Sequence, residues 1–203
     1  TPIKSSAASD VYKRQAYKWD ALIPAVESGT IDCVIAGMSP TAERKAVLDF
    51  SDNYYVSNLV IIVREDGAYA NAQSLADFKG CSIGAQAATF HAEALKQIED
   101  VKENILDDFT LLYTALTANT IDGYVAEEPT AYSICSEGSG LTFAPLVNNS
   151  TGFTCDEGDT AIAVGVRKGS DLAAAISEIV DGISDSERSE LMMKMVSIAP
   201  VEE

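Results

Sequence analysis

Histidine is nearly absent from this chain, with one among 203 residues. Its four cysteines, Cys33, Cys81, Cys135 and Cys155, show no C-x-x-C spacing. These two scarcities argue against a zinc site, whose ligand sets need several cysteines or histidines at short spacing. No stretch is long and apolar enough to span a membrane as a helix. Positive charge is scarce as well: 14 lysines and arginines stand against 31 aspartates and glutamates, a net charge of −17. So acidic a surface repels nucleic acid and anionic membranes, and neither is expected as a partner. Internal repeats, low-complexity runs and cofactor motifs are missing too, and no cofactor is expected. What remains is 47% hydrophobic, ample for the core of one large or two small domains.

Apolar periodicity alternates along the chain. Trp19, Leu22, Ile23 and Val26 fall at i, i+3, i+4 and i+7, one face of a helix that Gly29 stops. Residues 31–36 form a short run with β-branched side chains, the pattern of a buried strand. Further strands are expected at 59–63, 81–85, 121–126, 141–146 and 160–166. Helices are expected after Ser74, after Thr89 (with Ala92, Leu95 and Ile98), after Asp107 or Asp108 (with Leu111, Leu112, Ala115 and Leu116) and from Pro129 to Ile134. Ser170 opens a helix carrying Leu172, Ile176, Ile179, Val180 and Ile183. A last helix at 186–197 carries Leu191, Met192, Met195 and Val196 as core filler. Strands alternating with helices predict an α/β fold with parallel-dominated sheets. Cys33 and Cys81 read as small buried hydrophobes. Cys135 and Cys155 flank a polar segment and are open to pairing in an oxidising compartment or to remaining thiols. His91 reads as a surface residue.

Two places invite a chemical reading. In Gly37-Met38-Ser39-Pro40-Thr41-Ala42-Glu43-Arg44, Thr41 is an N-cap and Arg44 lies in the first helical turn, where a cation opposes the dipole. An anion nearby would explain it, since a guanidinium fork suits a carboxylate; a solvated surface arginine is the plain alternative. In Glu127-Glu128-Pro129, two glutamates precede a helix. Dipole pairing alone accounts for them; a site for a cation is the other reading. The Gln86-Ala87-Ala88-Thr89 turn leaves a strand and enters a helix, offering free backbone N–H groups to an anion.

These segments resemble the signature of bacterial amino-acid-binding proteins of ABC importers, solute-binding protein family 3. That signature runs Trp-Asp-x-Leu-Ile-Pro, Ser-Gly-x-x-Asp, Gly-Met-Ser-x-Thr-x-x-Arg and Asp-Phe-Ser-x-x-Tyr-Tyr. Here it stands as Trp19 to Pro24, Ser28 to Asp32, Gly37 to Arg44 and Asp49 to Tyr55, with the likeness reaching to about residue 200. The resemblance implies a two-lobed, periplasmic-binding-protein-like (type II) fold. Lobe 1 would comprise 16–66 plus 162–203, incomplete at its N-terminus; lobe 2 would be 67–161; two chain crossings would form the hinge. It implies a ligand set of Gly37, Ser39, Thr41, Arg44, Ala88, Thr89 and Glu127. Arg44, with Thr89 and nearby N–H groups, would hold an α-carboxylate. Glu127, with Ser39 and the Gly37 carbonyl, would hold the α-ammonium. Ala88 stands where family members usually carry glycine.

The implied protein is not an enzyme. It is an extracytoplasmic binder, free in the periplasm or lipid-anchored, monomeric when complete, that delivers an amino acid to an ABC permease. Two other classes share the fold: secreted cyclohexadienyl or arogenate dehydratases, for which His91, Asp52 or Glu128 would have to move a proton, and the ligand-sensing domains of receptors. Finally, Ser5-Ser6-Ala7-Ala8-Ser9-Asp10-Val11-Tyr12-Lys13-Arg14-Gln15 resembles the in-frame translation of a transposon-based sequencing adaptor. Residues 1–15 are therefore expected to be a tail foreign to the fold, with the natural reading frame and its signal peptide truncated upstream.

Overall fold

A computed structural model describes residues 13–198. The expected adaptor tail lies outside the described residues except for Lys13, Arg14 and Gln15, which are exposed. The first part of the chain forms α1 (Leu22–Glu27), β1 (Cys33–Val34), α2 (Ala42–Val47), β2 (Leu48–Phe50), β3 (Tyr55–Val56) and β4 (Leu59–Arg64). The middle forms β5 (Ser82–Gln86), α3 (Phe90–Ala94), β6 (Lys102–Leu106), α4 (Phe109–Thr117), β7 (Gly123–Glu127), α5 (Glu128–Ile134) and β8 (Leu141–Ala144). The last part forms α6 (Glu157–Thr160), β9 (Ala161–Ile162), β10 (Gly165–Arg167), α7 (Leu172–Asp181) and α8 (Asp185–Ile198).

The larger sheet has the order β6-β5-β7-β4-β8. The apolar β4 lies between β7 and β8, and pleating divides that strand between two cores. Leu59, Ile61 and Val63 join Phe78, Ile83, Leu95, Val125 and Phe153 on one face. Val60 and Ile62 join Leu112, Leu116, Tyr124, Ala126 and Ala131 on the other. Strand β5 runs parallel to β6 and β7, whereas β4 runs antiparallel to β7 and β8. A smaller sheet, β1-β10-β2, is antiparallel throughout. The expected α/β class therefore holds, but the pairing is mixed rather than parallel-dominated. The reason is topological: β4 and β10 are the strands by which the chain enters each sheet from the other, and each runs against its neighbours.

Between the sheets, β3 and β9 pair antiparallel, Tyr55 opposite Ile162 and Val56 opposite Ala161. These are the two passages of the chain between the sheets. The expected lobe boundary at 66/67 needs correcting on this point, because it assigns residues 59–64 to the first lobe, and that strand is hydrogen-bonded between β7 and β8 of the five-stranded sheet.

Three other expectations change. The run at 31–36 is a strand only at Cys33–Val34; β1 lies at a sheet edge with β10 as its one partner, and Ile35 is 72% exposed. Helix α8 buries none of its residues, so Met195 is exposed rather than core filler, and α7 buries only Val180. Strand β6 was not expected at all; it is a sheet edge of sequence KENIL, too polar for an apolar pattern to reveal. Among the described residues the four cysteines are free thiols, with Cys81 buried and Cys33 only partly so.

The tightest backbone approach in the larger sheet is at Gly123. A Cβ there would stand 2.8 Å from the Ile62 carbonyl oxygen and 2.8 Å from the Ile61 side chain. Gly123→Ala should therefore cost about 1–3 kcal/mol, the usual penalty for overpacking. Urea unfolding measures it, and an unchanged midpoint would mean that β4 and β7 do not meet in this register.

Candidate functional site

The Thr41 cap forms as expected: its hydroxyl oxygen accepts the Arg44 N–H at 3.3 Å and starts α2. That cap aims the arginine back over its own loop. Arg44 Nη1 donates to the Ser39 carbonyl at 3.0 Å. Its Nη2 reaches across 44 residues to the Ala88 carbonyl at 3.3 Å. The guanidinium also lies over the Trp19 ring, 5.3 Å from the centroid, a cation–π distance. Trp19 Nε1 donates to the same Ala88 oxygen at 3.5 Å. Arg44 is thus not a solvated surface arginine. Burial lowers its pKa, while the Glu43 and Glu127 carboxylates oppose that shift.

Ala88 presents its carbonyl from an unusual backbone, with φ at +56°. This is the left-handed region, which glycine occupies freely and alanine at a cost of roughly 1–2 kcal/mol. Thr89 occupies the N-cap position of α3 but does not cap it; its hydroxyl donates to the Gln86 carbonyl at 2.8 Å. The expected role of that hydroxyl as a cap is corrected, because the tight turn brings Gln86 closer.

Glu127 ends β7 and leads into α5, with Pro129 in the first turn. Its side chain is 17% exposed, and its Oε1 lies 3.1 Å from His91 Nε2. Burial pushes the Glu127 carboxyl up. The attraction and hydrogen bond from His91, its own backbone N–H and the Arg44 charge together outweigh burial and hold it below the usual carboxylate range. Arg44 and Glu127 therefore feel each other's charge without forming a direct pair. This leaves a cation and an anion at fixed places on different elements.

His91 is the main correction among the site residues. It is 5% exposed, not a surface residue. His91, Ala94, Leu95 and Ile98 fall at i, i+3, i+4 and i+7 and are all buried, so the helical period in this phase could have revealed it. Trp19 was also missed as a site residue, having been assigned to helix packing. Gly37 is solvent-exposed, and Ser39 is buried with its carbonyl facing Arg44. Of the residues considered for proton transfer, Asp52 is exposed with its N–H on Ser177 Oγ, and Glu128 accepts the Tyr132 hydroxyl at 3.2 Å. Neither joins His91. A cavity of about 1780 Å³ opens alongside, lined by Trp19, Ile35, Gln86, Ala88, Asp107 and Phe109 among others. Arg44 and Glu127 are not in its lining, and it exceeds the roughly 300–1,000 Å³ of a small-molecule pocket.

Comparison with known proteins places this geometry in a family. The family model described as bacterial extracellular solute-binding proteins, family 3, matches residues 9–196, and the chain belongs to that family. A probable histidine-binding protein of Campylobacter jejuni is 33% identical over 138 residues, 67% of this chain and 53% of that protein. The arginine-binding extracellular protein ArtP of Bacillus subtilis is 39% identical over 84 residues, 41% of this chain and 32% of that protein. The chain thus spans about half or less of the length of these two relatives. A crystal structure of an amino acid ABC transporter substrate-binding protein from Streptococcus pneumoniae, bound to L-arginine, superposes with a TM-score of 0.79 at 25% identity. That match covers 92% of this chain and 76% of the other. The likeness is to type II amino-acid-binding folds.

Relieving the left-handed strain gives a direct test of the Ala88 turn. Ala88→Gly should raise stability by about 0.5–1 kcal/mol, the left-handed penalty removed less the extra freedom glycine gains when unfolded. Equal or lower stability in chemical denaturation would contradict the backbone described for this turn.

Proposed function

We propose that this chain binds a free amino acid between two lobes, outside the cytoplasm, and delivers it to the permease of an ABC importer. One lobe carries the three-stranded sheet, the other spans about 57–161, and the β3–β9 crossing is the hinge. The complete protein acts as a monomer, either periplasmic or lipid-anchored, and it is not an enzyme. The observation that carries this reading is the separation of Arg44 from Glu127: two opposite charges on different lobes, each desolvated, neither neutralised by the other. A zwitterion fits that arrangement, with its carboxylate on Arg44 and its ammonium on Glu127. Ser39 and Gly37 flank the ammonium, Thr41 holds Arg44 through the α2 cap, and the N–H groups of the Ala88–Thr89 turn flank the carboxylate.

The mechanism follows from an exchange of partners. Without ligand, Arg44 donates to neutral carbonyls; a carboxylate adds an opposite charge and a two-pronged acceptor to the same guanidinium and binds it more strongly. A ligand that offers the carboxylate to one lobe and the ammonium to the other favours the closed form by that difference. Against the dehydratase reading, the matched relatives are named as binding proteins, and of the candidates for proton transfer Asp52 is exposed on Ser177 and Glu128 is bonded to Tyr132.

A thermal-shift screen of the twenty amino acids should find at least one that raises Tm. Calorimetry with that ligand should show binding abolished in Arg44→Ala. Binding should be weakened in Arg44→Lys, which keeps the charge but loses the fork, and weakened in Glu127→Gln. Unchanged affinity in Arg44→Ala would contradict the site.

A further inference from the structure

The mechanism above uses Glu127 but leaves His91 without a task, although the two are the buried acid and base of the site. The backbone of Glu127 is fixed at the end of a strand whose residues 123–126 are all buried, and its own N–H also bonds the carboxylate. Three rotatable bonds separate that backbone from the carboxylate, so the strand alone does not aim it. His91 does. Its ring is held edge-on to Phe109, with centroids 6.1 Å apart, and Phe109 in turn is edge-on to the fully buried Tyr124 at 6.1 Å. This aromatic row runs from the core of the larger sheet to the imidazole, and it delivers Nε2 to within 3.1 Å of Glu127 Oε1. The contact engages one carboxylate oxygen. A carboxylate offers about four acceptor positions, so capacity remains for a second donor.

The other ring nitrogen sharpens the assignment. His91 Nδ1 is buried and has no hydrogen-bond partner among the described residues. A proton placed there would be a buried donor left unsatisfied, which costs about 1–3 kcal/mol. Glu127 thus selects the tautomer that carries its proton on Nε2, and His91 in return fixes the carboxylate. A histidine present only to fill the core would not need to face a carboxylate.

We infer that His91 is a positioning residue for ligand capture: it clamps Glu127 so that the free carboxylate lone pairs meet an α-ammonium group in one orientation. The inference rests on the reading of Glu127 as the counter-charge of a bound amino acid. It predicts that His91 contributes to binding only through the ammonium, so its loss discriminates between an amino acid and the same molecule without the amino group.

The test is calorimetry with whichever of L-arginine and L-histidine binds more tightly, together with the des-amino analogue of that ligand. His91→Leu should weaken the amino acid about tenfold or more, the loss expected for one charge-assisted hydrogen bond. The analogue, already weak, should bind His91→Leu and the wild type alike. His91→Gln, which keeps an N–H donor, should restore most of the affinity. Equal losses for both ligands, or no loss in His91→Leu, would overturn the positioning role. Because His91 is the sole histidine, its imidazole ¹⁵N spectrum supplies a readout on the unmutated chain. It should show the Nε2–H form with a signal that moves on ligand addition. An Nδ1–H form, or signals unmoved at saturation, would overturn the inference. If the wild type binds no amino acid at all, the failure lies with the functional reading itself, and the inference falls with it.

Discussion

One carbonyl oxygen holds the site in its present shape. The Ala88 oxygen accepts from Arg44 and from Trp19, residues on the other side of the molecule from the β5–α3 turn that carries it. It can do so because Ala88 is held in the left-handed region, a conformation that turns the peptide out of line with β5. Everything else in the site is arranged around that link. The Thr41 cap aims Arg44, the Trp19 ring supports the guanidinium, and the paired crossing strands β3 and β9 keep the two sides within reach. A neutral carbonyl is a modest partner for a guanidinium, so the link closes the site without locking it.

The second constraint is electrostatic. In a chain with a net charge of −17, a desolvated arginine has acidic neighbours in abundance, yet among the described residues Arg44 forms no ion pair. Burying an unpaired charge is costly, and Arg44 is held only by dipoles and a ring face. The same holds for Glu127, whose partner is an imidazole rather than a lysine or arginine. On the proposed reading, two half-compensated charges of opposite sign, set on separate elements, favour a ligand that carries both.

Much of this was legible in the sequence, and the parts that were not have identifiable causes. Thr41 as a cap, Arg44 in the first turn of the helix it opens and Pro129 opening a helix after Glu127 all rest on local rules that tertiary contacts did not override. The apolar runs at 59–63 and 121–126 were recognisable by composition. Their assignment to sheets was not, because which strand pairs with which depends on contacts far apart in the chain; β4 looked like the end of the first lobe and is an interior strand of the five-stranded sheet. His91 was misplaced by choosing Ala92 instead of residue 91 to begin the helical face, a shift of one residue that turns a buried base into a surface one. Trp19 served the apolar pattern so well that its indole N–H, which needs an acceptor, was overlooked. The helices α7 and α8 show the converse failure: their apolar residues predicted burial, and of them only Val180 is buried.

The central claim is that Arg44 exchanges the Ala88 carbonyl for a ligand carboxylate. A crystal structure of the protein with a bound amino acid tests it most directly. The account predicts the α-carboxylate in a two-pronged contact with Arg44, the ammonium on Glu127, and the Arg44–Ala88 bond broken. An amino acid bound elsewhere, with Arg44 still on the Ala88 oxygen, would contradict it.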